Sequence, residues 1–140
     1  MKSRSSLIIV TLSLVLGGFV NAHPAPPAEP TSEVAPTHNW IAKESDNICG
    51  ISALRKVTNP AKVDYDHLYE ATPQIKEMKR KDIDPDSAEG KALRKGARTL
   101  ITKSSELVRK AKGHCSVWKV IRHKDGRKIP DVTQDVLERF

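Results

Sequence analysis

The sequence predicts an α+β fold, mainly helical: a short antiparallel helical hairpin, a small β-hairpin body and a C-terminal helix. Three observations predict it. Apolar residues recur at helical spacing over 63–81 and again over 86–112, with a break at Asp82-Ile83-Asp84-Pro85. Residues 115–122 (CSVWKVIR) change to strand composition and run into Lys124-Asp125-Gly126-Arg127, a tight-turn sequence. The chain then closes on Val136, Leu137 and Phe140 behind Thr133. With 140 residues and only two each of Trp, Tyr and Phe, the core is modest. That excludes barrel and doubly wound enzyme scaffolds.

From the N-terminus, Lys2 and Arg4 precede an apolar run over 7–20, and Val20-Asn21-Ala22 supplies small residues for a signal peptidase. The run is too short and wrongly flanked for a membrane span. Residues 1–22 are therefore expected to be a signal peptide, and the product soluble and exported, to the periplasm or alternatively the extracellular space. Their removal leaves 22 Lys and Arg against 17 Asp and Glu. Residues 23–38 hold five of the nine prolines and read as a flexible leader to a single small domain, 39–140. Within 39–60, Ile48, Ile51, Leu54 and Val57 are spaced by threes. That spacing suggests one or two helical turns, ended by Asn59-Pro60.

Leu68, Ala71, Ile75 and Met78 then follow 3-4-3 spacing, one stripe on a helix. Thr72-Pro73 is an N-cap followed by an N1 proline, so the helix restarts there. Lys76, Lys79, Arg80 and Lys81 gather at its C-terminal end, where the macrodipole favours cations. Asp86 and Glu89 have capping-box spacing for the next helix. In it Leu93, Ala97, Leu100, Ser104, Leu107 and Ala111 repeat at 4-3-4-3-4, Ile101 and Val108 widen the stripe, and Lys112-Gly113 ends it. Gly96 inside it costs about 1 kcal/mol relative to alanine. This seam is small and partly polar, so its expected partner is the Leu68–Met78 stripe, returned antiparallel by the 82–85 turn. The helix pairing is assigned to Leu68, Ile75, Met78, Leu93, Leu100, Ile101, Leu107 and Val108. A strand over 115–122, a type I′ turn at Asp125-Gly126 and a return strand at Lys128-Ile129, limited to an edge by Pro130, would form the hairpin. Thr133 would cap a last helix over 134–140.

No catalytic constellation is present: there is no Gly-x-Ser-x-Gly elbow and no His-Glu-x-x-His, so a non-enzymatic protein without cofactors is expected. His114-Cys115 suggests a thiol beside its base, but neighbours on a strand point to opposite faces. A disulfide between Cys49 and Cys115 is favoured, stabilising by about 2–5 kcal/mol in an oxidising compartment, over free or intermolecular thiols. No second Cys or His stands at ligand spacing from Cys49. Asp82-x-Asp84-x-Asp86 lacks the glycine and later glutamate of a calcium loop. Asp64, Asp66, Asp82, Asp84 and Asp86 therefore read as caps and turn formers, and no metal is expected. Cleavage after Ala22 would leave His23 as an N-terminal copper chelator, but it opens a proline-rich stretch rather than a rigid sandwich.

The basic surplus is the one feature that points outward. Lys91, Arg94, Lys95 and Arg98 crowd one helix, followed by Lys103, Arg109, Lys110 and Lys112. Lys119, Arg122, Lys124, Arg127 and Lys128 decorate the hairpin. Such cations either keep the surface solvated or bind an anionic partner. Export and the absence of aromatics interleaved with the cations set nucleic acid aside. Unfolded or acidic polypeptides remain, with an anionic membrane surface as the alternative, and Lys91, Arg94, Lys95 and Arg98 are the candidate contacts.

Two stretches carry a family resemblance. One is the helix end Val108-Arg109-Lys110-Ala111-Lys112-Gly113-His114, a Val-rich strand at Val117, a turn, and Asp131-Val132-Thr133-Gln134-Asp135-Val136-Leu137. The other is Val63-Asp64 followed by His67-Leu68-Tyr69-Glu70-Ala71-Thr72-Pro73. Together, over 62–78 and 107–139, they resemble the OmpH/Skp-like periplasmic chaperones. The resemblance implies a trimer built on a strand-rich body, with helical arms that enclose unfolded outer-membrane proteins. Here only about 30 residues separate the matched stretches, so the arms would be much shortened. The function expected is a chaperone-like holdase for unfolded or acidic exported polypeptides. The alternative is a secreted, disulfide-stapled interaction or toxin-like protein acting on an anionic membrane or protein partner.

Overall fold

The computed structural model describes residues 38–140. The signal-peptide assignment, and all of the leader assignment except His38, lie outside the described residues. The fold is α+β. Its strands are β1 (Trp40–Ile41), β2 (Asn47–Gly50), β3 (Pro60–Lys62), β4 (Ser116–Trp118) and β5 (Arg122–His123). Its α-helices are α1 (Tyr65–Ala71), α2 (Pro73–Arg80), α3 (Ala88–Lys112) and α4 (Thr133–Leu137).

Residues 39–60 are not the helical turns expected but short strands joined by single 3₁₀ turns at Glu44–Asp46 and Leu54–Lys56. The threefold spacing is fortuitous. Ile48 belongs to a strand and Ile51 is exposed. Val57 is buried in the same cluster as Trp40, whose indole N–H donates to the Val57 carbonyl at 2.7 Å. The hairpin expected over 115–129 is also replaced. β4 runs between β2 and β3, antiparallel to the first and parallel to the second, while β5 pairs with β1. A turn does form there, but it is centred on Lys124-Asp125, with the Gly126 N–H donating to the His123 carbonyl at 3.0 Å, and Asp125 lacks the positive φ of the type I′ turn expected. Beyond it, however, Ile129 is buried without joining a strand. Burial of Val117 and Trp118 between distant strands overrides the local turn signal. Parallel pairing needs a long crossover, and α1 to α3 supply it.

The helix boundaries follow local capping chemistry. The Asp64 carboxylate accepts from the His67 N–H at 3.0 Å and starts α1. Thr72-Pro73 restarts the helix as expected, the Thr72 hydroxyl accepting from the Ile75 N–H and donating to the Tyr69 carbonyl. The cap of α3 is Ser87 rather than Asp86. The Ser87 hydroxyl accepts from the Gly90 N–H at 3.0 Å, while the Asp86 N–H donates to the Asp84 carboxylate and holds the preceding turn. α3 stops at Gly113, which takes the left-handed φ of 72° that a side chain would disfavour. At α4 the expected cap moves too. Asp131 accepts from both the N–H and the hydroxyl of Thr133, and that hydroxyl accepts from the Asp64 N–H at 2.8 Å. Thr133 thus ties the start of α4 to the start of α1.

Neighbouring residues of a strand face opposite sides, so β4 feeds two clusters. Val117 joins Ala61, Val63, Leu68, Ile101, Val108, Val132 and Val136. Trp118 joins Trp40, Val57, Ile121 and Ile129. The buried face of α3 is Gly90, Ala97, Ile101, Ser104, Ser105 and Val108. Leu93 and Leu100 lie half-buried on its flank, but Leu107 is 54% exposed and takes no part in helix pairing, contrary to its assignment. The reason is length. α2, which packs on α3 through buried Ile75, has eight residues, about 12 Å, and cannot cover a helix of 25.

Two glycines of α3 therefore predict opposite outcomes. A Cβ at Gly90 would meet the Asp84 carbonyl oxygen at 2.1 Å and the Pro85 Cα at 2.8 Å. Gly90→Ala is expected to lose about 1–3 kcal/mol through this backbone clash. A Cβ at Gly96 would sit 3.4 Å from the Gln74 side chain, an ordinary contact. Gly96→Ala is expected to gain about 0.5–1 kcal/mol from helix propensity. Urea midpoints of the two variants measure both.

Candidate functional site: a cationic notch on the long helix

Residues 91, 94, 95 and 98 of a helix fall on neighbouring turns of one side, so four cations in that pattern are held within about 10 Å along the axis. In the structure Lys91, Arg94, Lys95 and Arg98 line one notch of about 350 Å³, and the single carboxylate in it is Asp86. The four candidate contacts are thus brought together. Arg94 is the most restrained: its guanidinium donates to the Pro85 carbonyl at 3.4 Å and lies 3.6 Å from Asp86. Ser87, one residue on from Asp86, caps the same helix, so the cap and the notch share one turn.

Two aromatic residues escaped the sequence reading, one of them near Arg98 at the end of this cluster. Tyr65 and Tyr69, one turn apart on α1, stack with ring centroids 6.3 Å apart. The Lys119 ammonium sits 4.1 Å from the Tyr65 ring centroid, a cation–π contact. Burial pushes the Tyr65 hydroxyl above its ordinary pKa, and the charge of nearby Arg98 pulls it back. Aromatics and cations that look unrelated in the sequence are therefore neighbours across α1, α3 and the end of β4. The i, i+4 tyrosine spacing was legible, but its proximity to Arg98 and Lys119 depends on tertiary packing.

The cysteines are placed differently from the disulfide expected: both are free. Cys49 pairs with Val117, two residues past Cys115, and such diagonal neighbours stand about 7–8 Å apart, beyond a relaxed disulfide. Their surroundings diverge as well. Cys49 packs on the main cluster and Cys115 on the Trp118 cluster. Burial, followed by the charge of Glu106, pushes the Cys49 thiol up to about 12. Burial opposes ionisation of Cys115 too, but hydrogen bonds from Ser116, Thr58 and Asn59 hold its pKa below the ordinary value.

Between the thiols, Arg109 grips Glu106 with two hydrogen bonds of 2.6 and 2.7 Å and donates to the His114 carbonyl at 3.0 Å. Lys110 stands 3.3 Å from the same carboxylate. Gly50 completes the junction. At φ 83° it lies so close to the Cys115 carbonyl and the Arg109 side chain that a Cβ would collide with both. The fork of Arg109 thereby fastens the last turns of α3 to the chain entering β4.

Comparison with known protein families, curated proteins and solved structures finds no match to this chain.

The Arg109–Glu106 grip predicts a pH dependence. Its hydrogen bonds hold the Glu106 carboxyl down at about 2, against an ordinary 4.5. A carboxyl depressed on folding contributes its stability above the ordinary value and loses it as the pH falls towards the folded one. Wild type is expected to exceed Glu106→Gln by about 1 kcal/mol at pH 7. That gap should close on acidification from about pH 4.5 to 2 in urea titrations of both proteins.

Proposed function

We propose that this chain is an exported, non-enzymatic binding protein, a chaperone-like holdase for unfolded or acidic exported polypeptides, of the OmpH/Skp-like kind with shortened arms. The observation that carries the reading is the convergence of Lys91, Arg94, Lys95 and Arg98 on one notch with a single opposing carboxylate. An exposed ion pair contributes only about 0.2–1 kcal/mol. A run of acidic residues that meets several of these cations together gains affinity that one pair would not supply. Lys2, Arg4 and the apolar run over 7–20 support export, to the periplasm in this reading.

In the same reading α2 and α3 form an antiparallel hairpin across Asp82–Pro85. The close approach of Gln74, at the start of α2, to Gly96, and of Asp84 to Gly90, supports that arrangement. The strand-rich end, where β2, β3 and β4 meet, would be the trimer-forming body.

Changing Lys91, Arg94, Lys95 and Arg98 together to Glu is expected to abolish suppression of aggregation of a denatured acidic polypeptide, with an unchanged circular dichroism spectrum. Equal suppression by the reversed protein rejects the reading. Salt-sensitive binding to vesicles of anionic phospholipid, with no effect on aggregation, would point instead to a membrane partner. Sedimentation is expected to give a trimer, and a monomer would remove the shared-body part of the reading.

A further inference from the structure

We propose that the shallow groove between α2 and α3 seats an apolar side chain of an acidic client, so that the protein takes extended segments of the pattern acidic–x–apolar–x–acidic. It rests on the reading that the protein holds unfolded or acidic exported chains, and it names which segments of such a chain are held.

The groove measures about 470 Å³ and adjoins the notch, with Lys95 common to both. Ala92, Gly96 and Leu100 follow one another at i, i+4 spacing and form an apolar floor. The Gln74 side chain walls it on the α2 side. Thr99 already donates its hydroxyl to the Lys95 carbonyl at 3.0 Å. The donors that α3 leaves free along the groove are therefore the ammonium groups of Lys95 and Lys103.

Gly96 keeps the floor open. Glycine inside a helix is less stable than alanine, and packing does not call for it at this position. The atoms nearest to an added Cβ would all belong to Gln74, the closest at 3.4 Å, whereas the backbone of Asp84 and Pro85 leaves Gly90 no alternative. Gln74 adds a second sign of an occupant. Its Oε1 is shielded from water and has no hydrogen-bond partner among the described residues. A polar atom so placed is unfavourable. Turning the amide towards the groove mouth offers that oxygen to an N–H of a peptide backbone lying there.

Charge and spacing select the peptide. Lys95 and Lys103 stand eight residues apart, about 12 Å along the helix axis. Neither has an ion-pair partner among the described residues. In an extended chain residues i, i+2 and i+4 point to one side, and i to i+4 spans about 13 Å. Carboxylates at the two ends of that span meet the two ammonium groups, and the apolar side chain between them drops onto Gly96 and Leu100. One exposed ion pair contributes little. Two at a fixed span, joined through an apolar contact, discriminate by pattern.

Fluorescence anisotropy of the full chain with labelled peptides tests this. Ser-Glu-Thr-Leu-Thr-Glu-Ser is expected to bind saturably. Its isomer Ser-Glu-Leu-Thr-Thr-Glu-Ser turns the leucine to the opposite side and should bind about tenfold more weakly. Gly96→Ala should weaken the first peptide about threefold even though its urea midpoint rises, so loss of folding does not account for the effect. Gly96→Leu, which fills the floor, should weaken it about tenfold. Lys103→Glu should weaken it about fivefold, with recovery when one of the peptide's glutamates is replaced by lysine. Absence of saturable binding, equal binding of the two isomers, or full binding by Gly96→Leu overturns the proposal.

Failure of the groove and failure of the notch give different results. Loss of aggregation suppression on reversing the four notch cations, with equal binding of the two isomers, sinks the groove and keeps the notch. Discrimination between the isomers that is lost in Gly96→Leu, with suppression untouched by the reversal, supports the groove and sinks the notch.

Discussion

Ser116, Val117 and Trp118 are buried on both faces, and most other elements are placed by that burial. A strand so enclosed needs a partner on each side and apolar cover above and below. β2 and β3 supply the partners, one antiparallel and one parallel. The Ile101–Val108 stretch of α3 helps to cover one face, and Trp40, Val57, Ile121 and Ile129 cover the other. A serine is tolerated in so dry a place because its hydroxyl accepts from the Trp118 indole N–H at 2.7 Å, satisfying two polar groups at once. The turn at Gly113 and the grip of Arg109 on Glu106 and the His114 carbonyl deliver the chain into this strand at the required height.

The long helix then has three distinct sides. Its Ala97, Ile101 and Val108 side belongs to the core. Its first half offers Lys91, Arg94, Lys95 and Arg98, the last of them near Tyr65, a surface with little opposing charge. Its second half shows Leu107 and Lys103 to the edge of β2. A charged surface and an apolar one are thereby carried by a single helix.

What could be read from the sequence was local. Thr72-Pro73, the Asp82–Pro85 break and Gly113 mark the helix ends because capping chemistry lies within a few residues. The inward residues Leu68, Ile75, Ile101, Val108 and Val136 were legible from helical period for the same reason. Misreadings gathered where the deciding partner is distant. Ile48 to Val57 have helical spacing, yet β4, nearly 70 residues on, makes part of that stretch a strand. Leu107 fits the heptad as well as Leu100 does, and only the shortness of α2 separates their fates. The disulfide reading failed on register, since nothing in the spacing of Cys49 and Cys115 reveals a diagonal offset. The notch was legible as a helical charge pattern, whereas the nearness of Tyr65 to Arg98 and Lys119 required the fold.

The parallel pairing of β3 with β4 also bears on how the chain can close. Pro60 and Ser116 are register partners separated by the whole helical crossover. During N-to-C synthesis, β2 and β3 emerge well before the residues that complete their ladder. Closing so large a loop costs less once α1, α2 and α3 have shortened it, so helix formation favours sheet closure. In that interval Asn47–Gly50 and Pro60–Lys62 lack the strand that pairs with both.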